Sequence, residues 1–188
     1  MVDEAHSLGV LGKRGKGIAE HFQLSGKEVD IWMGTLSKTL GSCGGYIAGE
    51  QALVDHLKFT APGFLYSVGI SPMLAAASLK ALEILEQEPH RVRHMQHNGE
   101  YFKTQAQKAG MDTGLSMGLS ITPIIIGSSI KATRLSNKLF ERGINVQPII
   151  YPAVEERAAR LRFFICATHT ESQIDETIHI LKDEMAKL

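Results

Sequence analysis

A carboxylate, an imidazole and an amine occur in two short stretches of this sequence that could form one reactive centre. Asp3 and His6 lie in "VDEAHSLGVLGKRGKG", and Lys38 lies 35 residues after Asp3 in "GTLSKTLGSCGG". The gap leaves room for one helix and one strand, so both stretches can end at the same edge of a parallel sheet. Such a group suits either nucleotide-driven chemistry or the imine chemistry of a lysine, and the surrounding residues decide between them.

The nucleotide-driven interpretation rests on Asp-Glu-Ala-His, which is also a helicase motif. Enzymes of that kind need a phosphate-binding loop of the form G-x-x-x-x-G-K-[ST]. The stretch "GVLGKRGKG" does not match, because Lys13 and Lys16 are followed by Arg14 and Gly17 instead of Ser or Thr. We therefore reject nucleotide hydrolysis and expect this stretch to be a connecting turn.

The surroundings of Lys38 favour pyridoxal 5′-phosphate chemistry. In such sites a lysine holds the cofactor as a Schiff base, and a carboxylate keeps the pyridine nitrogen protonated. Lys38 follows a predicted strand in a glycine-rich turn, where the hydroxyls of Thr35 and Ser37 are suited to a phosphate. Asp3 is then the candidate partner of the ring nitrogen. His6 could contact the phenolic oxygen of the ring or assist proton transfer.

The composition is that of an ordinary globular protein and argues against several classes of function. Of 188 residues, 44% are hydrophobic and 21% are charged, and 20 basic residues balance 20 acidic ones. This balance argues against a nucleic-acid partner, and no apolar run reaches the roughly 18 residues that span a membrane. Cys43 and Cys166 form no C-x-x-C pair, so we expect no metal site and two buried thiols in a reducing, cytoplasmic compartment.

Strand and helix patterns alternate along the chain and predict an α/β fold. Two domains are expected, residues 1–90 and residues 91–188, with a linking helix over 90–109. A further helix is predicted over 71–87, with Ser71 as its N-cap and Pro72 as its first residue, and another after Thr170. A loop is expected around Pro62, and a strand interrupted by prolines is expected in "INVQPIIYPAV".

Three stretches together resemble the α-oxoamine synthase family: "VDEAHSLGVLGKRGKG", "GTLSKTLGSCGGYIAG" and "ARLRFFICATHT". They occur in the family's order, and the resemblance covers the whole chain. It implies a fold-type-I pyridoxal phosphate-dependent transferase, represented by part of its large cofactor-binding domain and by its small C-terminal α/β domain. It also implies a homodimer with shared active sites, which condenses an amino acid with an acyl-CoA into an aminoketone.

Carried over position by position, the resemblance assigns roles to the residues of the two stretches. Lys38 would be the Schiff-base lysine and would also move protons. Asp3 would pair with the ring nitrogen, and His6 would contact the ring oxygen. Thr35 would contact the phosphate, helped by Ser37.

Two further roles follow from the resemblance in the later part of the chain. Arg162, the second arginine of "RLRFF", would hold the substrate carboxylate, which the guanidinium fork suits. An ordinary strand ion pair is the alternative for this residue. Ser67 in "FLYSVGISP" would reach the phosphate bound in the neighbouring subunit. The chain departs from the family at Ala153, where a threonine is usual.

The motifs correspond to the C-terminal half of that family's sequence. The half that covers the cofactor and shapes the acyl-CoA channel has no counterpart here, so we expect the isolated chain to bind pyridoxal phosphate poorly and to have little activity. Two other functions remain open. One is another fold-type-I enzyme, such as an aminotransferase, and the other is a catalytically incomplete module kept for dimerisation or structure.

Overall fold

The computed structural model describes all residues, 1–188, and divides them into two compact units. Unit 1 comprises Met1–Val92 and unit 2 comprises Arg93–Leu188. Each alternates strands with helices, as the sequence predicted. No helix in either unit combines the length and the apolar character needed to cross a bilayer.

Unit 1 is built on a three-stranded sheet with β2 in the middle. Its elements are, in chain order, β1 (Val2–Asp3), α1 (Ile18–Phe22), β2 (Ile31–Thr35), β3 (Gly45–Gly49), α2 (Gln51–Thr60), α3 (Pro62–Leu65) and α4 (Pro72–Gln87). β2 pairs in parallel with β1 and antiparallel with β3. A parallel pair needs a crossover connection, which residues 4–30 provide with α1 in their middle.

Local capping chemistry determines where the helices of unit 1 begin. The Ser71 hydroxyl accepts a hydrogen bond from the Leu74 backbone N–H, and Pro72 opens α4, which confirms the predicted start. The loop predicted around Pro62 was wrong, because residues 62–65 form the short helix α3. Proline favours the first turn of a helix, where its missing N–H has no intrahelical partner to lose.

Unit 1 does not enclose a hydrophobic core of its own. Among its hydrophobic residues only Leu40 and Val92 are buried, and α2, α3 and α4 contain no buried residue. Large apolar side chains are instead exposed along residues 59–73, with exposed fractions of 76% for Phe59, 85% for Tyr66 and 95% for Val68. Large exposed apolar side chains that lie this close together in the sequence are typical of an interaction site.

Unit 2 contains a second three-stranded sheet, in which β6 lies between β4 and β5 and is antiparallel to both. Its elements are α5 (His90–Lys108, which begins in the last residues of unit 1), β4 (Ile121–Ile125), α6 (Ser129–Glu141), β5 (Gln147–Ile149), β6 (Arg160–Phe164) and α7 (Glu171–Met185). The helices and the sheet enclose a closed apolar core, whose fully buried members include Phe102, Ile124, Leu135, Leu139, Leu161 and Leu181.

Two proline positions in unit 2 lie inside strands. Pro123 is in β4 and Pro148 is in β5, so the interruption predicted at Pro148 was wrong. Both strands are at the outside of the sheet. In an outer strand, proline is tolerated where the N–H of another residue would point away from the partner strand, because no hydrogen bond of the sheet is then lost. The predicted start of α7 is confirmed, since Thr170 and Gln173 form a capping box there.

The two cysteines are not buried, which corrects the expectation from composition. Cys43 and Cys166 are both exposed and both free. Cys43 lies in the turn between β2 and β3, and Cys166 lies two residues after β6 ends, so neither occupies a position that faces a core.

The closed core of unit 2 predicts a large cost for removing one of its side chains. Leu161 is fully buried at the centre of the sheet, and Leu161→Ala should lower the free energy of unfolding by about 2–5 kcal/mol. The matched control is Leu115→Ala, because Leu115 is fully exposed in the same unit and should change that free energy by less than about 0.5 kcal/mol. Urea unfolding followed by circular dichroism measures both, and equal effects would contradict the core assignment.

Candidate active site

Asp3 and the Lys38 turn lie at the same edge of the sheet in unit 1. Asp3 is paired with Met33 in the parallel ladder, and the Glu4 backbone N–H donates to the Met33 carbonyl at 2.6 Å. Because β1 and β2 run in the same direction, the chain leaves both strands at this edge. The structure therefore brings together the two stretches that the sequence singled out.

The turn after β2 is held by backbone hydrogen bonds. The Leu36 N–H donates to the Gly44 carbonyl, and the Ser42 N–H donates back to the Leu36 carbonyl. A further bond from the Gly41 N–H to the Lys38 carbonyl, 2.9 Å long, closes the tip of the turn. The backbone at Lys38 is thus well defined, whereas its side chain is exposed and its Nζ takes part in no hydrogen bond or ion pair. The amine is therefore accessible to solvent.

Asp3 offers one carboxylate oxygen to a ligand. Its Oδ1 accepts a hydrogen bond from the Ala5 backbone N–H at 2.7 Å, which fixes the side chain, while Oδ2 has no protein partner. His6 follows on the same segment and is exposed. A carboxylate and an imidazole are thus both presented to solvent just beyond the end of β1.

The hydroxyls of Thr35 and Ser37 are 2.8 Å apart and form a small polar pair beside Lys38. The Thr35 hydroxyl donates to the Gly44 carbonyl at 3.1 Å, so its single hydrogen is already used. Ser37 is exposed, and its hydrogen can rotate from Thr35 toward an added acceptor. This geometry makes Ser37 the more accessible donor of the two.

An apolar cavity of about 730 Å³ lies beside Thr35. Met33, Thr35 and Ile47 line it from the strands, and Leu57 and Phe64 line it from α2 and α3. Lys58 is the single charged residue in the lining. The space beside Thr35 therefore suits apolar groups better than a second charged ligand.

Glu4 has a structural role that the sequence did not indicate. Its side chain is buried, and its carboxylate accepts hydrogen bonds from the Ser7 hydroxyl and from the Ile18 backbone N–H at 3.0 Å. These bonds tie the end of β1 to the start of α1. Burial raises the pKa of Glu4, while bonds from the backbone N–H groups of Ile18 and Ala19 act in the opposite direction. An acid flanked by Asp3 looks exposed in the sequence, and only the fold shows that it faces inward.

The glycine-rich loop between Gly9 and Gly17 is a connecting turn, as expected. Two of its backbone donors are already occupied, because the Glu20 carboxylate accepts from the N–H groups of Arg14 and Lys16 at 2.9–3.1 Å. An internal carboxylate thus takes the position at which a phosphate-binding loop would hold its anion.

The two remaining predicted site residues lie elsewhere. Ser67 is exposed on the segment between α3 and α4, where its hydroxyl donates to the Phe64 carbonyl at 3.2 Å. Arg162 belongs to unit 2, in the middle strand of its sheet. Its guanidinium carbon lies 4.9 Å from the centre of the Phe164 ring, and no carboxylate pairs with it. The alternative of an ordinary strand ion pair therefore finds no support.

The raised pKa of Glu4 predicts a pH dependence of stability. Its carboxyl contributes most favourably below its usual value of 4.5, and this contribution is lost as the pH rises through the raised value. Between about pH 4 and about pH 7, the unfolding free energy of the native chain should therefore fall relative to that of Glu4→Gln. Urea unfolding of both proteins across this range provides the measurement. A difference that is constant with pH, or that grows in favour of the native chain, would contradict the assignment.

Comparison with known proteins places these features in a family. Residues 1–181 match the model of aminotransferase class I and II. The chain is 46% identical to the 8-amino-7-oxononanoate synthase of Symbiobacterium thermophilum over 177 residues, which are 94% of this chain and 45% of that protein. It is 42% identical to the serine palmitoyltransferase of Sphingobacterium spiritivorum, over 95% of this chain and 44% of that protein. The chain thus spans a little under half the length of these relatives.

Solved structures show the same likeness. The 8-amino-7-oxononanoate synthase of Francisella tularensis superimposes with a TM-score of 0.87 at 31% identity, over 99% of this chain and 54% of that chain. A serine palmitoyltransferase from S. paucimobilis, solved with a bound PLP–myriocin aldimine, gives a TM-score of 0.91 at 22% identity, over all of this chain and 48% of the other. The predicted fold-type-I class and the predicted resemblance to α-oxoamine synthases are both confirmed. The chain belongs to the aminotransferase class I and II family.

Proposed function

We propose that this chain carries the cofactor-holding and substrate-holding residues of an α-oxoamine synthase, which condenses an amino acid with an acyl-CoA to give an aminoketone. The observation that carries the proposal is the convergence of Asp3 and Lys38 at one edge of the parallel β1–β2 pair. The names of the relatives with 42–46% identity support the reaction type. Because the chain spans under half of those relatives, the reaction is proposed for the complete enzyme of which these residues form a part.

The residues present at the sheet edge fit pyridoxal phosphate. The free amine of Lys38 would bind the aldehyde of the cofactor. The Asp3 carboxylate, which has one unpaired oxygen, would bind the ring nitrogen. The exposed hydroxyl of Ser37 would bind the phosphate, and the Thr35 hydroxyl is hydrogen-bonded to that of Ser37. When bound, this cofactor supplies an electron sink for bonds broken at the α-carbon of an amino acid.

Each side chain of the edge has a distinct task in this proposal. The Asp3 carboxylate would keep a proton on the ring nitrogen, because a negative charge beside it favours the protonated form. His6 would contact the ring oxygen. The Lys38 amine would hold the cofactor and would move a proton at the α-carbon of the amino acid.

Arg162 would hold the carboxylate of the amino acid. Its guanidinium has no acidic partner and rests on the Phe164 ring, so its donors remain available. Arginine can bind a carboxylate through two parallel hydrogen bonds, which fixes the orientation of the substrate.

A homodimer is also part of the proposal. Ser67 lies between Tyr66 and Val68, two of the most exposed apolar side chains of unit 1. A hydroxyl in the middle of such a surface suits a residue that acts across a subunit boundary.

The two free thiols and the absence of any disulfide in the structure agree with a cytoplasmic location for the enzyme.

The two alternative functions, an aminotransferase and a structural module, can be distinguished from this one by the products that they release. An aminotransferase acting on the same amino acids would release an oxo acid and no CoA. A purely structural or dimerisation module would release neither, and its biological role would survive Lys38→Ala. The geometry at Lys38 supports a reactive role over a structural one, because the amine is exposed and makes no structural contact.

The experiment that tests the reaction mixes the complete enzyme with pyridoxal phosphate, an acyl-CoA and each amino acid in turn, and measures free CoA. We expect release with one amino acid, and we expect Lys38→Ala to abolish it. Lys27→Ala is the matched control, because Lys27 is an exposed lysine of the same unit that lies outside the candidate site. Release of an oxo acid instead of CoA would favour an aminotransferase, and no product dependent on Lys38 would contradict catalysis.

Arg162→Lys should separate binding from chemistry. Lysine keeps the charge and loses the two-pronged geometry, so the KM for the amino acid should rise roughly 10- to 150-fold, the loss expected for one hydrogen bond to a charged group. The KM for the acyl-CoA should stay near its native value, and Arg157→Lys, at an exposed arginine next to β6, is the control. An unchanged KM for the amino acid would remove Arg162 from the substrate site.

A further inference from the structure

Lys38 has no side-chain contact that aims its amine at a ligand. Its Nζ takes part in no hydrogen bond or ion pair, so the placement of its backbone decides what the amine can reach. The neighbouring residue, Thr39, does have a long-range contact. Its hydroxyl donates to the Leu8 carbonyl at 2.7 Å, across 31 residues of sequence.

This contact joins the two segments that form the candidate site. Leu8 follows His6 on the chain that leaves β1, and Thr39 follows Lys38 on the chain that leaves β2. The Glu4 N–H to Met33 carbonyl bond closes the two chains at the sheet, and the Thr39 bond closes them again beyond it. His6 and Lys38 both lie between these two closures, which limit how far the segments can separate.

The sequence at residue 9 is adapted to the contact. Gly9 has φ +79°, a conformation that favours glycine, and an added Cβ would lie 2.6 Å from the Thr39 Oγ1. A side chain at residue 9 would therefore push Thr39 away from Leu8. The absence of one lets the two segments approach closely.

The acceptor is held in place from its other side. The Gly9 N–H donates to the Gly15 carbonyl at 2.7 Å, and Leu8 forms a β-bridge with Lys16. The Leu8 N–H donates to the Glu4 carbonyl. The Leu8 carbonyl is thus a fixed anchor and not the tip of a mobile loop, so a bond to it restrains Thr39.

We propose that Thr39 is a positioning residue, whose hydroxyl holds the Lys38 turn at a set distance from the Asp3–His6 segment. The inference rests on the proposed function, because the distance between the two segments matters only if one ligand must contact Lys38 and Asp3 together. It predicts that the donor of Thr39 is required and that its methyl group is not.

Two variants of Thr39 separate the effect of its hydroxyl donor from the effect of its side-chain shape. Thr39→Val removes the hydroxyl at almost constant volume, and Thr39→Ser keeps the hydroxyl and removes the methyl group. The first readout needs no cofactor and is amide hydrogen exchange at Gly9, Gly41 and Ser42, whose N–H groups brace the two segments. The second is the rate at which pyridoxal phosphate becomes fixed to Lys38 on borohydride reduction, read by peptide mass spectrometry.

We expect Thr39→Val to speed exchange at those amides and to slow fixation at Lys38, each roughly 2- to 12-fold, which is the effect of losing one neutral hydrogen bond. Thr39→Ser should stay close to the native chain in both. Native exchange or native fixation in Thr39→Val would overturn the proposal, and so would equal losses in both variants.

The same experiment distinguishes failure of the proposed function. If the complete enzyme fixes pyridoxal phosphate at Lys38 no faster than at exposed lysines such as Lys13 and Lys27, the proposed function fails. In that case hydrogen exchange alone tests the role of Thr39. If exchange is faster in Thr39→Val and native in Thr39→Ser, Thr39 still joins the two segments. Any other pattern contradicts that role.

Discussion

The parallel pairing of β1 with β2 is the constraint on which the rest of the candidate site depends. It brings the chain out of both strands at one edge, so that Asp3 and the turn around Lys38 become neighbours although 35 residues separate them. A slip of one residue would turn Asp3 to the opposite face of the sheet. The crossover that makes the pairing possible has little regular structure, and the carboxylates of Glu4 and Glu20 bind backbone N–H groups that would otherwise lack partners.

The two units differ in how they are stabilised: unit 2 has a closed core, whereas unit 1, which carries most of the candidate site, does not. Unit 2 buries a continuous cluster of side chains between its helices and its sheet. Unit 1 carries most of the candidate site residues, but no side chain of α2, α3 or α4 is fully buried. Apolar area removed from water is the main source of folding free energy, so unit 1 gains much of its stability only when other polypeptide covers this surface.

The sequence predicted the helix caps and the shared sheet edge of the candidate site, but it did not predict which side chains are buried or which distant residues are in contact. Ser71 and Thr170 were recognised as helix caps because the capping hydroxyl and the backbone N–H that donates to it lie within one turn. The spacing of Asp3 and Lys38 sufficed to place both at one edge, because parallel pairing fixes direction. The burial of Glu4, the exposure of Cys43 and the contact of Thr39 with Leu8 depend on neighbours far away in the chain, and a single sequence carries no pattern for these.

The prolines of the second sheet have a consequence for unwanted strand addition between molecules. Each outer strand of unit 2 has a proline, Pro123 or Pro148, so each outward edge lacks one of the donors that another chain would need to add as a further strand. The sheet of unit 1 has no such protection: β3 is an outer strand of five residues without proline. Unprotected edges of that kind recruit other strands, which makes unit 1 the part of the molecule where unwanted strand addition, and with it aggregation, would begin.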